Sequence, residues 1–506
     1  MKKVYIFCLA VLCSLSSNAQ LGVTTYNATT PFSQGFSRVV GTSDGGFLVV
    51  GSTGINGRIS KLNSAYVTVW SFQMDSLPLN DVVETNDGNY VVQGFTYKTD
   101  YPLGAVYVVK FTPSGTIMYQ KMFYDPANVS AVTSSGIAKG AGADNGYLLF
   151  GGNCIAMNYV LKCDASGVIQ WQYSYAPTFG AGTTFSVIPE SNGYVAALTT
   201  AVNSVQSAAI LKLDASGVPV GARTLQSTNG VTMFPNNLTH LNNGDYFLWT
   251  APYDIYGAQN YTISSSLSTI TCNRVANSSI EITGAFASGN TNDEVMMTFI
   301  GHNTFYGGVL KVTPSGTIAM QKYSSDVNNL VYPSDGLSMH NGNYVLAGTV
   351  NNNRGMIAVV DETAAGFCSS QNPGCTAQQN YPFTTGSPTV TSFPITIAQL
   401  TVNYPTTAIT YATVNVCGTL IGVEENDFTD AGISVYPNPF SNSVSIERKT
   451  NDLVTVNVID ATGRIVLSKQ TSGTKIEIGT AELANGIYSL QLIDAEGIKI
   501  LKVVKN

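Results

Sequence analysis

The sequence predicts an all-β chain: a seven-bladed β-propeller over residues 20–418, then a small Ig-like β-sandwich over residues 433–506. Three observations predict it. A turn carrying Gly or Asn, an aromatic residue and an apolar run recurs seven times, with an average spacing of about 50 residues between Phe47 and Tyr344, within the range of propeller blades. A hairpin motif built on turns such as "DASG" or "TPSG" follows the copies. Several apolar runs, such as "FLVV" and "YLLF", do not alternate with polar residues, which is the pattern of strands buried on both faces.

The 506-residue chain is 44% hydrophobic, ample for a core, but only 11% charged, against roughly 25% in ordinary soluble domains. Ser, Thr, Asn and Gln supply the polarity, as on an extracellular β-rich surface. A formal charge of −7 leaves no basic stripe and argues against nucleic acid as a partner. Residues 1–19 read as a signal peptide: Lys2 and Lys3, an apolar run over 4–15, and "SNA" before Gln20. Cys8 and Cys13 fall in the apolar run. Phe7 and Leu12 stand where a lipid-anchor signal needs small residues, so cleavage is expected after Ala19. No other run reaches the roughly 18 apolar residues of a membrane helix, so the mature chain is expected to lack a transmembrane segment.

The first motif reads "DGGFLVVGS" from Asp44, "DGNYVVQGF" from Asp87, "DNGYLLFGG" from Asp144 and "SNGYVAALT" from Ser191. It continues as "NNGDYFLWT" from Asn242, "TNDEVMMTF" from Thr291 and "NGNYVLAGT" from Asn341. The second motif, as in "VYVVKFTPSGTIMYQK" from Val106 and "NYVLKCDASGVIQWQ" from Asn158, makes two strands around a tight turn. Short strands such as "FSRVV" and "LNDVV" precede the first motif, so each repeat is expected to hold four antiparallel strands. No copy looks like a polar capping repeat, which favours a closed ring over a solenoid. The seventh copy fades after "GMIAVVDETAAGFC". Its missing outer strand is expected from residues 21–25 or 409–417.

Lys61, Lys110, Lys162, Lys212 and Lys311 precede the second turn, on the expected third strand. They read as solvated strand-end cations with their stems on the blade, away from a channel lined by first strands. Six cysteines follow the signal. "CSSQNPGC" makes Cys368–Cys375 the expected disulfide, with Cys417 a competing partner, while Cys154, Cys163 and Cys272 read as buried thiols. Three His and no CxxC pair leave no metal site or cofactor to expect.

Residues 419–432 are acidic and turn-rich, as a linker should be. About seven short strands follow, with "DATG" and "DAEG" as hairpin turns, implying a small sandwich. Here "VYPNPF", "VIDATGRIV", "LANGIYSLQL" and "KILKVVKN" resemble, in order, the C-terminal sorting domain (type A) of the bacterial type IX secretion system. The resemblance covers residues 433–506. It implies the secretion machinery as a partner, passage through the periplasm and across the outer membrane, and then either release or attachment to surface lipopolysaccharide after removal of the domain. Pro437, Asn438, Pro439, Gly463, Gly486 and Tyr488 match the family motif, and by that resemblance would serve folding and recognition by the exporter. The repeats resemble, more loosely, the uncharacterised propeller cargoes joined to such tails, which brings a fold and no activity.

Candidates for chemistry are few. His240, His302 and His340 lie near strand ends in three repeats and read as structural. Glu84, Glu190 and Glu281 lie near inner-strand ends in different blades, where a carboxylate set at the propeller mouth would suit sugar hydrolysis. The D-x-x-T-G-x-x-x-W repeat of quinoproteins is matched cleanly only at Trp171. Tyr97 and Tyr101, with Tyr253 and Tyr256, sit on aromatic loops between second and third strands, expected on one rim of the ring and suited to binding. The sequence therefore points to a secreted or surface-attached, non-catalytic binding or adhesion propeller with an extracellular glycan or protein ligand. The alternatives are an extracellular hydrolase or lyase with a propeller-mouth site, and a surface-layer component.

Overall fold

The computed structural model describes residues 22–28, 35–96, 104–127, 131–153, 157–176, 183–202, 205–228, 233–252, 258–276, 280–287, 293–301, 307–324, 331–338, 343–350, 354–361, 363, 370–371, 373–409, 411–417, 434–460, 465–494 and 497–506. Among these residues every regular element is a β-strand. The chain divides into two compact units, 1–419 and 420–506.

In the first unit the repeats form seven antiparallel sheets. Blade 1, for example, runs Gly35–Gly41, Phe47–Thr53, Asn56–Leu62 and Thr68–Met74. The inner strands of blades 2 to 7 are Leu79–Glu84, Val132–Lys139, Thr184–Glu190, Met233–His240, Ile280–Ala287 and Val331–Ser338. Each inner strand packs against the inner strands of its two neighbours, and that of blade 7 packs against that of blade 1, so the ring is closed. Burial explains the missing alternation: every residue of Ala105–Phe111 and of Gly307–Val312 is buried, since both faces of a blade meet a neighbour.

Both expected sources complete blade 7. Gly22–Ala28 pairs with Arg354–Val360 as the fourth strand, with Thr24 opposite Ile357, and Tyr411–Cys417 pairs on its outer side. The expectation of four strands per blade is corrected to five. After blade 7 the chain turns back and encircles the ring as a belt, adding one short outer strand to each sheet in reverse order. Ser370–Gln371 joins blade 6, Thr376–Gln378 blade 5 and Phe383–Gly386 blade 4. Thr391–Pro394 joins blade 3, Ala398–Thr401 blade 2 and Thr406–Ala408 blade 1.

Along its length the belt drives apolar side chains into six successive seams. Cys375 enters the core of blades 5 and 6, Tyr381 that of 4 and 5, Val390 that of 3 and 4. Ile397, Tyr404 and Tyr411 fill the next three seams. A buried aliphatic or aromatic side chain of this size contributes about 1.5–3 kcal/mol. Amides at one position of the fourth strand fasten the same points. Gln120 Oε1 accepts the Tyr404 N–H at 2.8 Å while its Nε2 donates to the Tyr404 carbonyl at 2.9 Å. Gln321 holds Cys375 the same way, and Gln172 accepts the Ile397 N–H at 2.8 Å.

The repeated lysines are not solvated, which corrects the reading made from the sequence. Lys61, Lys110, Lys162 and Lys311 are buried, each on the acid at the first turn of its own blade: Asp44 at 3.0 Å, Asp87 at 2.8 Å, Asp144 at 2.7 Å and Glu294 at 2.9 Å. Lys212, half-buried, reaches Glu190 at 3.3 Å. The turn glycine beside the pair is obligatory: a Cβ at Gly46 would lie 2.3 Å from Lys61 Nζ, and one at Gly146 2.4 Å from Lys162 Nζ. Adjacent blades also interlock through the hairpin turns. Trp171 of blade 3 lies on Gly217 of blade 4, where φ is +82° and a Cβ would come within 2.8 Å of the indole. Where blade 4 has Gly221 instead of an aromatic, the blade 5 turn carries buried Leu267, which fills the space.

The second unit holds two sheets, one of three strands and one of four, around a core that includes Val444, Ile446, Val456, Ile478 and Leu490. Its strands alternate, as Lys475–Gly479 does, because only one face is covered.

Candidate functional site

All seven inner strands carry a β-bulge in their first half. The unpaired residues are Ser37, Asn80, Ser135, Phe185, Asn236, Thr283 and Ser334. A bulge bends and further twists its strand and re-aims a side chain. Ser37, Asn80, Ser135 and Asn236 are exposed although they lie on inner strands, the strands that line the channel of a closed ring. Phe185 is half-buried and meets Phe234 of blade 5 edge-on, with ring centroids 6.5 Å apart.

The residue after the bulge ties the ring together. Asp81 Oδ2 accepts the Ile137 N–H of blade 3 at 3.1 Å, Asp335 Oδ2 the Val39 N–H of blade 1 at 3.0 Å, and Ser186 Oγ the Leu238 N–H of blade 5 at 3.3 Å. Arg38 spans three blades: its Nε lies 2.9 Å from Asp81 and its Nη1 3.3 Å from Asp335. The nearby carboxylates of Asp335 and Asp81 hold the guanidinium well above its ordinary value. Burial pushes the Asp335 carboxyl up, against the pull of Arg38 and of the Val39 and Gly336 N–H groups.

The carboxylates singled out in the sequence do not converge. Glu84 and Glu190 end their inner strands, whereas Glu281 begins its own, at the other end of the ring. Glu84 accepts both the N–H and the hydroxyl of Ser43 in the blade 1 turn, each at 2.7 Å. Glu190 holds Lys212 and accepts the Tyr246 hydroxyl. His240 lies against Tyr246, with Nε2 3.0 Å from the Pro189 carbonyl; His302 and His340 lie outside the described residues. Tyr97, Tyr101, Tyr253 and Tyr256 also lie outside the described residues. Cys163 and Cys272 are buried, and burial pushes both thiols up to about 12. Cys375, a belt residue, is buried in the seam of blades 5 and 6; Cys368 lies outside the described residues, as does Cys154. Among the described residues no group of three or more His, Cys, Asp or Glu is placed to hold a metal ion, and no helix is long and apolar enough to cross a membrane.

In the second unit the opening motif is bound to the closing strand Gly497–Lys505. Asn438 Oδ1 accepts the Val504 N–H at 2.8 Å, and the Phe440 N–H donates to the Val504 carbonyl at 2.8 Å. Pro437 and Pro439, on either side of Asn438, both follow cis peptide bonds. Tyr488, one residue past Ile487 and two past Gly486, donates its hydroxyl to the Ala484 carbonyl at 2.7 Å; Gly463 lies outside the described residues.

Residues 434–506 match the family model "Secretion system C-terminal sorting domain". An endo-acting ulvan lyase of Formosa agariphila is 34% identical over 83 residues, a match that spans only 16% of either chain. Among solved structures, the Penicillium chrysogenum alpha-L-arabinanase complexed with arabinobiose is 12% identical, with 56% of this chain and 92% of that one covered at a TM-score of 0.39. The polysaccharide lyase Uly1 is 8% identical, with 66% and 91% covered at a TM-score of 0.39. The chain thus carries a type IX secretion system C-terminal sorting domain at residues 434–506, behind a seven-bladed β-propeller, and is a cargo exported to the cell surface or beyond.

Proposed function

We propose that the propeller binds an extracellular glycan or protein ligand without transforming it, after residues 1–19 and, outside the cell, the sorting domain have been removed at either end of residues 20–432. The observation that supports this best is the commitment of the ring's acids. Asp81, Asp335, Glu84 and Glu190 each hold a neighbouring blade or their own lysine, and catalysis needs an acid or base released to a substrate. Tyr97, Tyr101, Tyr253 and Tyr256, which the sequence sets between second and third strands, offer flat rings that give large contact area at small entropy cost.

The alternative, an extracellular enzyme acting on a polysaccharide, draws on one observation: the Asp335 carboxyl is pushed up by burial beside Arg38, as a general acid requires. The relative named as an endo-acting ulvan lyase fits that reading.

The test is retention of the exported protein on an array of extracellular polysaccharides and proteins. Replacing Tyr253 and Tyr256 together by Ala is expected to weaken retention with Tm nearly unchanged. Retention indifferent to that change, or export unaffected by deleting residues 434–506, counts against the proposal.

A further inference from the structure

We propose that the channel, at the level of its bulges, holds a neutral carbohydrate chain, stacked on Phe185 and Phe234 and hydrogen-bonded by the exposed bulge residues. This rests on the binding reading above and names the ligand class. Three features of the channel point the same way.

The first is the wall. Asn80, Ser135 and Asn236 are exposed to the channel and make no side-chain hydrogen bond among the described residues. Two amides and a hydroxyl offer donors and acceptors together, as sugar hydroxyls require, and none carries charge. The ring register places them at one level, since each occupies the same bulge of its blade.

The second is the aromatic pair. Phe185 takes the bulge position that Ser or Asn takes in blades 1, 2, 3 and 5, and it meets Phe234 across the seam of blades 4 and 5. Both rings are half-buried, and both lie on inner strands, beside the exposed Asn236 of blade 5. An apolar ring face beside hydrogen-bonding side chains matches a pyranose, which presents C–H groups on one face and hydroxyls at its rim.

The third is charge. Across the ring from blades 4 and 5, the cation at this level, Arg38, is already held between Asp81 and Asp335. A polyanionic chain would thus find no unmatched guanidinium at this level among the described residues, while a neutral chain needs none.

The experiment uses the full exported chain on an array holding neutral polysaccharides, uronate-containing polysaccharides and peptides, with retention and new chain ends both recorded. Phe185→Ala and Asn236→Ala are compared with Val220→Ser, an exposed position on the outside of blade 4. Retention on neutral glycans is expected, insensitive to salt, weakened about tenfold by Phe185→Ala and less by Asn236→Ala, and unchanged by Val220→Ser. Because Asn236 is exposed, its variant tests the site even where loss of Phe185 disturbs folding. Retention confined to uronate chains or peptides, or neutral-glycan retention indifferent to both channel variants, overturns the channel assignment and leaves the binding reading standing. New chain ends that vanish in Phe185→Ala support the channel and overturn the non-catalytic reading.

Discussion

At the residue scale, the lysine–acid pair is the repeat's main polar device, and its energetics depend on burial. Lys110 is fully buried on Asp87, whereas Lys212 and Glu190 are both about a quarter exposed. Removing one member of a buried pair strands its partner. Lys110→Ala is therefore expected to cost about 2–4 kcal/mol and Lys212→Ala about 1 kcal/mol, measured by urea unfolding. The pairs also set an acid limit. Burial alone would raise Asp44, but hydrogen bonds from Thr42, Lys61 and the Gly46 N–H bring it down to about 2. Asp87 is lowered too, by Lys110, Thr85 and Asn89, against the same burial effect. A depressed carboxyl gives stability that is fully present above the unfolded-state value near ~4 and is lost as pH falls through the folded value. The urea midpoint should thus fall between about pH 4 and pH 2. Asp44→Asn with Asp87→Asn should flatten that limb; an unchanged slope contradicts the account.

At the element scale, the belt makes the last part of the cargo sequence a fifth strand for every blade. Its strands are only two to seven residues long, so seam plugs and amide clamps carry the attachment. Gln120→Ala and Gln172→Ala are each expected to cost about 1–2 kcal/mol, because a buried backbone N–H loses its acceptor. Hydrogen exchange should show the Tyr404 and Ile397 amides, respectively, losing protection ahead of the inner strands. Equal protection loss across all blades would mean that the belt is not fastened this way. The belt was scarcely legible in the sequence. Segments such as "TAQ" and "TTA" are too short to show periodicity, and only 409–417 reads as a strand. The inner and second strands were legible, because short continuous apolar runs bounded by Gly turns are the mark of strands covered on both faces. The lysine pair could have been found: blades 5 and 7 carry Thr262 and Val359 in place of Lys, and Asn243 and Asn341 where Asp87 stands in blade 2. In blades 4 and 6 the Lys stays while that position is Ser191 or Asn292 and the acid is Glu190 or Glu294 instead, so the pairing shows in the sequence only in part. The bulge ring left no such trace, since Ser, Asn and Phe at those positions look like ordinary strand residues.

At the scale of the whole molecule, the sorting motif was the clearest signal in the chain, because four separated stretches had to match in order. The ligand was the least clear, because the channel wall is assembled from seven distant segments. The ring joins both ends of the cargo: Gly22–Ala28 lies between Arg354–Val360 and Tyr411–Cys417. Asp81, Asp335, Glu84 and Glu190 are each bound to a neighbouring blade or to a lysine of their own blade. The most direct test of this account is a time course of new chain ends with the exported protein at saturating concentrations of each polysaccharide it retains. Retention with no new ends above the blank is the expected result. New ends that accumulate in proportion to protein concentration and are abolished by Asp335→Asn, Glu84→Gln or Glu190→Gln would contradict it.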